Sequence, residues 1–244
     1  MHIHLPDGVL PVWLWAAGLA IAAITVAFSA FMLRKGLNKK AAMIGVFAAL
    51  MLVAMNIPLG PIPYHINLTA VAGIFLGPFG GMISVAITNA LLALMGHGGI
   101  TVSGLNMIVL GFEACAGWLL FKALRPVLSN PGLRGAVSVF FAMVASTVLF
   151  LGMVAFSGLD PSAFSHNHDH EHEEAEGAHG HDEHGHEHEE DAHEGEHEHE
   201  SISLSAFAAA TVPVALLGAA IEALIAGAMI GYIARARPGM VENA

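Results

Sequence analysis

Long apolar stretches dominate this chain, and short breaks rich in glycine, proline or charge separate them. A helix needs about 20 consecutive apolar residues to cross the hydrocarbon core of a bilayer. The pattern predicts seven helices, at residues 9–33, 41–57, 67–77, 81–96, 104–124, 134–158 and 203–234. The third is too short to cross a membrane by itself. We therefore expect an all-α integral membrane protein with about seven transmembrane helices.

The break inside residues 67–96 decides the number of helices. Its sequence is GPFGG at residues 77–81, and both glycine and proline are poorly tolerated inside helices. If the break separates two helices, the total is seven; if it only kinks one helix, the total is six. Small residues also recur at every fourth position within residues 73–81 and 41–49. Such rows let membrane helices approach closely, and we interpret them as packing within the chain rather than as a docking face for a second subunit.

Lysine and arginine side chains occur in only three places, at residues 34–40, 122–134 and 235–237. Such residues are concentrated in the cytoplasmic loops of membrane proteins. Seven helices put all three places on one side of the membrane, whereas six helices divide them. The distribution therefore favours seven helices, with the N-terminus outside and the C-terminus in the cytoplasm. No basic segment precedes the first apolar stretch, so we expect no cleaved signal peptide and a chain that keeps Met1.

Residues 166–200 differ sharply in composition from the rest of the chain. The whole chain is 55% hydrophobic and 12% charged, yet this segment holds 12 histidines and 15 acidic residues with no lysine or arginine. Because no apolar side chain in it is larger than alanine, it cannot form a core that offsets the entropy of ordering. We expect a disordered external loop at residues 159–202. It would lie between a membrane domain at 1–158 and a last transmembrane helix with a cytoplasmic tail at 203–244.

The histidines of this loop give it a distinct chemistry. Many interchangeable imidazole and carboxylate ligands predict low-affinity metal capture with little selectivity; the alternative is a solvated linker without a metal role. His193 and His197 also fit the HExxH pattern of zinc proteases, but histidine and glutamate alternate throughout the loop, so a chance match is expected. The histidines predicted to capture metal are His166, His168, His170, His172, His179, His181, His184, His186, His188, His193, His197 and His199.

The other four histidines, His2, His4, His65 and His97, lie near the predicted outer ends of the helices. The α-amine of Met1, together with the main-chain nitrogen and the imidazole of His2, can close two chelate rings on one metal ion. His65 can supply a fourth nitrogen. Planar nitrogen ligation is typical of Ni(II) or Cu(II) rather than of tetrahedral zinc. Because such binding releases protons, its affinity should fall in acid.

Three motifs occur together and in this order: MHIHLPDGVLP at the N-terminus, YHINLTAVAGIFLGPFGG around His65, and GHGGITVSGLN at His97. Together they resemble the CbiM/NikM family, the metal-binding S components of energy-coupling-factor importers for cobalt and nickel in prokaryotic plasma membranes. The resemblance implies a six-helix core with an extra N-terminal helix, and metal ligands at Met1, His2 and His65. It also implies a transmembrane coupling subunit and two ATPase subunits as partners. A small accessory membrane subunit is a further, optional partner. The transported ion would supply cobalamin biosynthesis or nickel enzymes.

One detail departs from the family pattern, which often reads Met-His-x-Pro-Asp-Gly. Here His4, not His2, stands two residues before Pro6. Either the terminus is extended and His2 still chelates with the amine, or His4 takes the place of the usual histidine. A chelate needs a histidine beside the amine, which favours His2. His4, His97 and Asn106 are then expected as auxiliary ligands or as residues that support the ligands.

Other functional classes are less consistent with the residues. The chain has no GxxxxGK[ST] phosphate loop, so we expect a transport subunit rather than an enzyme, without an organic cofactor and without nucleic acid as a partner. The alternatives are a stand-alone zinc or divalent-metal permease and a membrane metal sensor. Ionisable residues at membrane depth mark ion pathways, but Glu113 and Glu222 have no histidine one turn away, which argues against a zinc permease. We expect these two carboxylates to bond Asn106 or Ser103, or to touch the coupling subunit.

Deleting residues 166–200 should leave folding and the tight binding of one metal ion intact but lower uptake when metal is scarce, because only weak ligands are lost. Metal titration of the purified protein and uptake assays at low metal concentration measure the two effects. Loss of the tight site in the deletion variant would contradict this prediction.

Overall fold

The computed structural model describes residues 11–34, 36–57, 65–96, 99–157 and 204–242, which are mostly helical. The helices are α1 (Val12–Leu33), α2 (Leu37–Asn56), α3 (Thr69–Leu94), α4 (Ile100–Ala123), α5 (Pro131–Ser157), α6 (Leu204–Ala236) and the short α7 (Pro238–Glu242). Within this part of the chain, α1, α3, α4, α5 and α6 contain segments long and apolar enough to cross a membrane, and α2 contains a shorter apolar segment. The predicted all-α, multi-pass membrane fold is confirmed.

α3 consists of two arms that fold back on each other. Gly77 has φ 76° and ψ 174°, far from helical values, and Pro78 follows it. Eight residues of straight helix would separate Gly73 from Gly81 by about 12 Å. Instead, a Cβ atom built on Gly81 would lie 3.0 Å from the Cα atom of Gly73. The first arm therefore comprises residues 69–76 and the second arm residues 78–94. The predicted division into two helices is confirmed, although the sequence placed them at 67–77 and 81–96.

Hydrogen bonds to α2 establish the same reversal. The Nζ atom of Lys40, near the start of α2, donates to the carbonyl oxygen of Leu76 at 3.0 Å. Two turns further along α2, the carbonyl oxygen of Ala48 accepts a hydrogen bond from Thr88 Oγ1 at 3.1 Å. The second arm therefore leaves the reversal in the same direction as α2, and the first arm approaches it in the opposite direction.

The predicted packing role of the small residues is confirmed in α3. A Cβ atom added to Gly73 would overlap the carbonyl oxygen of Ala114 in α4, and one added to Gly81 would lie 3.3 Å from the Cβ atom of Ala114. Both arms thus approach α4 at Ala114 more closely than larger side chains allow. The row in α2 differs, because a Cβ atom on Gly45 would meet nothing within 4 Å.

Basic side chains gather at the end of the bundle where α3 reverses, which we name the basic end. A cavity of about 200 Å³ beside the reversal is lined by Leu33 at the end of α1 and by Lys40 and Lys122. At the junction of α4 and α5, the guanidinium carbon of Arg134 lies 4.0 Å from the centre of the Phe121 ring. α1 and α4 therefore run towards the basic end, and α2 and α5 run away from it.

α6 returns to the basic end along α5. A Cβ atom on Gly132, at the start of α5, would lie 2.8 Å from the carbonyl oxygen of Gly227 in α6. Arg235 and Arg237, which follow within three turns, therefore lie at the same end as the other described basic residues. This arrangement agrees with the grouping that the seven-helix interpretation required.

The side of the membrane that each end faces can be tested by cysteine labelling in a Cys115→Ala background. Cysteines at Met95, which is exposed at the far end of α3, and at Gly180 should react with an impermeant thiol reagent in intact cells. A cysteine at Ser129, which is exposed between α4 and α5, should react only after the cells are opened. Gly132 is unsuitable because a side chain there would strike Gly227. If only Ser129→Cys were labelled in intact cells, the predicted orientation in the membrane would be wrong.

Candidate metal site and buried carboxylates

The residues that follow His65 enter the bundle as non-helical backbone. We name residues 65–68 the His65 segment; it leads from the end opposite the basic end to the first arm of α3. His65 and Ile66 are half-buried, and Asn67 and Leu68 are buried. At membrane depth such backbone is tolerated only where protein groups satisfy its donors and acceptors. The hydrogen bonds of this segment are therefore central to the site.

Glu222 of α6 provides the acceptors for two of these donors. Its side chain is completely buried. Its Oε2 atom accepts a hydrogen bond from the main-chain N–H of Asn67 at 3.2 Å, and its Oε1 atom accepts one from the N–H of Leu68 at 2.9 Å. The carboxylate also faces the N-terminus of the first arm, where the helix dipole favours a negative group. Glu222 thus binds the His65 segment through both oxygens.

Local contacts fix the segment further. The side-chain oxygen of Asn67 accepts a hydrogen bond from the N–H of Thr69 at 2.9 Å, which forms an Asx turn just before the helix. Leu68 adopts a left-handed conformation with φ 55°, which costs on the order of 1–3 kcal/mol for a residue other than glycine. The Thr69 hydroxyl donates to the Met51 sulfur of α2 at 3.7 Å. The strained conformation persists because bonds on both sides of Leu68 hold it.

A second buried carboxylate is provided by α4. Glu113 of α4 is completely buried, and its Oε2 atom accepts a hydrogen bond from the Ser146 hydroxyl of α5 at 2.8 Å. Its Oε1 atom has no hydrogen-bond partner among the described residues. The two carboxyl groups are close enough to interact electrostatically. Residues from α4, α5 and α6 therefore meet in one polar cluster inside the bundle.

One predicted partner of these glutamates, Ser103, needs correction. Glu113 bonds Ser146, and the Ser103 hydroxyl instead donates to the carbonyl oxygen of Ile100 at 2.7 Å. Glu222 bonds main-chain N–H groups that the sequence analysis did not consider. The one available signal was an ionisable residue inside an apolar span, which usually faces the protein interior. That signal indicates burial but not the partner.

The structure places only part of the predicted metal site. His65 lies at the outer start of its segment, and Asn106 is buried on α4. Met1, His2, His4, His97 and all twelve histidines of the external loop lie outside the described residues. Within the described ranges, no group of three His, Cys, Asp or Glu side chains could hold a metal ion. The ligand set of Met1, His2 and His65 therefore stays a prediction.

The N-terminus is long enough to reach His65. α1 starts at the same end of the bundle, where Leu14 and Trp15 pack against a cluster that contains Val102 and Phe150. Ten residues precede Pro11, and an extended chain of that length spans up to about 35 Å. Neighbouring helix axes are only about 8–10 Å apart. The length of the segment before α1 thus exceeds the spacing of neighbouring helices, while the position of His2 itself lies outside the described residues.

A broken helix beside polar groups at membrane depth is typical of membrane transporters, in which half-helix ends face the site. The described helices and the polar cluster place the chain in this class. The family model for the cobalt uptake substrate-specific transmembrane region, CbiM, matches residues 4–240. The chain belongs to this family.

Two curated relatives share part of the chain. A protein from Halobacterium salinarum, whose name describes a cobalt transport protein of the CbiM type, is 30% identical over 135 residues, which are 52% of this chain and 61% of the relative. A Haemophilus influenzae protein, named as a metal transport protein, is 33% identical over 135 residues, which are 52% of this chain and 62% of the relative. The alignments thus span about three fifths of each relative.

Two solved structures have a similar fold. A crystal structure of a transition metal transporter superposes with a TM-score of 0.69 at 18% identity and covers 96% of this chain and 93% of its own. A crystal structure of a truncated transition metal transporter gives a TM-score of 0.66 at 16% identity, with 96% and 97% covered. At this identity the likeness shows the fold.

Proposed function

We propose that this chain is the substrate-binding membrane subunit of an ATP-driven energy-coupling-factor importer for Co(II) or Ni(II). Membership in the cobalt-uptake family, over residues 4–240, carries the proposal. The position of His65 supports it, because this imidazole stands where a segment enters the bundle from the end opposite the basic residues. A cation arriving at that end would meet a nitrogen ligand before it met the buried carboxylates.

The proposed ligands are four nitrogens: the Met1 amine, the main-chain and imidazole nitrogens of His2, and the imidazole of His65. Imidazole is a ligand of intermediate softness that suits late transition metals. The reach of the N-terminal residues and the fixed course of the His65 segment both support this set. The metal ion is the transported substrate.

Partner subunits are proposed to supply the energy and the movement. The chain contains no phosphate-binding loop, so two ATPase subunits would hydrolyse ATP and act through a transmembrane coupling subunit; a small accessory membrane subunit is compatible with this assembly. The basic end is proposed to face the cytoplasm. The N-terminus, His65 and the His-rich loop would then face outside, where the loop's weak ligands would concentrate scarce metal.

Uptake measurements separate this function from a stand-alone permease or a metal sensor. Cells that express the chain together with its coupling and ATPase subunits should accumulate radioactive Co(II) or Ni(II), and cells that express the chain alone should not. A Walker lysine variant of the ATPase subunits is the matched control. Accumulation by the chain alone would support a permease and contradict the proposed importer subunit.

The ligand set predicts a strong effect of the free N-terminus. One extra residue before Met1 converts the amine into an amide and shifts the chelate rings, so tight binding should be lost, as it should in His2→Ala and His65→Ala. His97→Ala should bind nearly as wild type. Isothermal titration of C-terminally tagged protein with Co(II) or Ni(II) measures the effect. Full affinity with an extended terminus would exclude the amine and favour His4 as the partner of His65.

A further inference from the structure

We propose that Glu222 positions His65 for metal binding, by holding the His65 segment from α6. The inference rests on the proposed function, because it assigns a further residue to the same site. Glu222 would not contact the metal ion. Its role would be to set the depth and the direction of the main chain from which the His65 imidazole extends.

The chain between the carboxylate and the imidazole is short. Glu222 binds the N–H groups of Asn67 and Leu68, two and three residues after His65. Two residues of backbone span at most about 7 Å. The bond from the Thr69 N–H to Asn67 and the left-handed conformation of Leu68 remove further freedom. A displacement of the Glu222 carboxylate would therefore move His65 as well, because the two residues between them have little freedom to compensate.

The part of α6 that follows Glu222 is packed tightly against α5. About one to two turns after Glu222, α6 packs against α5 at very short range: a Cβ atom on Gly227 would lie 2.9 Å from the Cβ atom of Ala136. In the same interface, a Cβ atom on Gly135 of α5 would lie 2.5 Å from the Ile230 side chain of α6. Such close contacts leave little room for α6 to slide. Glu222 thus relates the His65 segment to a fixed part of the bundle.

A carboxylate suits this role better than a neutral side chain. It presents two acceptor oxygens to two consecutive donors, whereas an amide presents one oxygen and an NH2 group that faces a main-chain N–H. If Glu222 only satisfied buried donors, its replacement would lower stability and leave metal binding unchanged. If it positions His65, its replacement must also change affinity and ligand geometry.

The test uses the full chain, purified with an unmodified N-terminus and a C-terminal tag, and Co(II) or Ni(II) as the probe. Glu222→Gln should bind one metal ion per chain about 10–100-fold more weakly than wild type, the range typical when a group that orients a ligand is lost. The d–d absorption bands of the bound ion should shift, because the imidazole is no longer held in the same direction.

A buried hydrogen bond elsewhere provides the control. Thr88→Val loses the bonds to the Ala48 and Ser84 carbonyl oxygens and should lower the unfolding temperature, but it should keep wild-type affinity and spectrum. If Glu222→Gln does not fold, Glu222→Asp replaces it. The aspartate keeps the charge but is one methylene shorter, so it cannot keep both contacts in place and should also weaken binding and shift the bands.

His65→Ala separates the two proposals. Wild-type affinity and spectrum in the folded Glu222 variant, together with lost binding in His65→Ala, would overturn the positioning role and leave the proposed metal site intact. Wild-type binding by His65→Ala would instead overturn the metal site itself. Weaker binding with shifted bands in the Glu222 variant, next to an unchanged Thr88→Val, would support the inference.

Discussion

Main-chain donors and acceptors inside a bilayer must be satisfied by the protein, because no water is available there. This constraint shapes the first arm of α3, which is only eight residues long, begins inside the bundle and ends at the reversal. Glu222 from α6 binds the N–H groups before its start, and Lys40 from α2 binds the Leu76 carbonyl oxygen at its end. Side chains from two other helices therefore satisfy the main chain at both ends of this short helix.

The two charged side chains also match the polarity of the arm. A helix carries a partial positive charge at its N-terminus and a partial negative charge at its C-terminus. A carboxylate at the first end and an ammonium group at the second therefore both stabilise it. They come from helices far apart in the chain, so the short arm ties α6 and α2 to the segment that carries His65. The proposed metal ligand His65 thus lies two residues before main-chain groups that Glu222 holds.

Close packing completes the arrangement. Gly73 and Gly81 let both arms of α3 lie against Ala114 of α4, which places Glu113, one residue earlier, next to the same interior. Its bond to Ser146 joins α5 to the cluster. In a membrane, where apolar side chains gain little from mutual contact, such short approaches and buried hydrogen bonds provide much of the specificity of packing.

The sequence by itself determined the class of the protein, the helical segments, the break at Gly77 and the grouping of the basic residues, because these depend on local composition and on alternation across a membrane. It also indicated that Glu113 and Glu222 would be buried. Only the tertiary structure decided how closely the two arms pack at Gly73 and Gly81, and that Glu222 binds Asn67 and Leu68. Those bonds join residues 155 and 154 positions apart, and their existence depends on the depth at which α6 packs against the other helices, which no local pattern records.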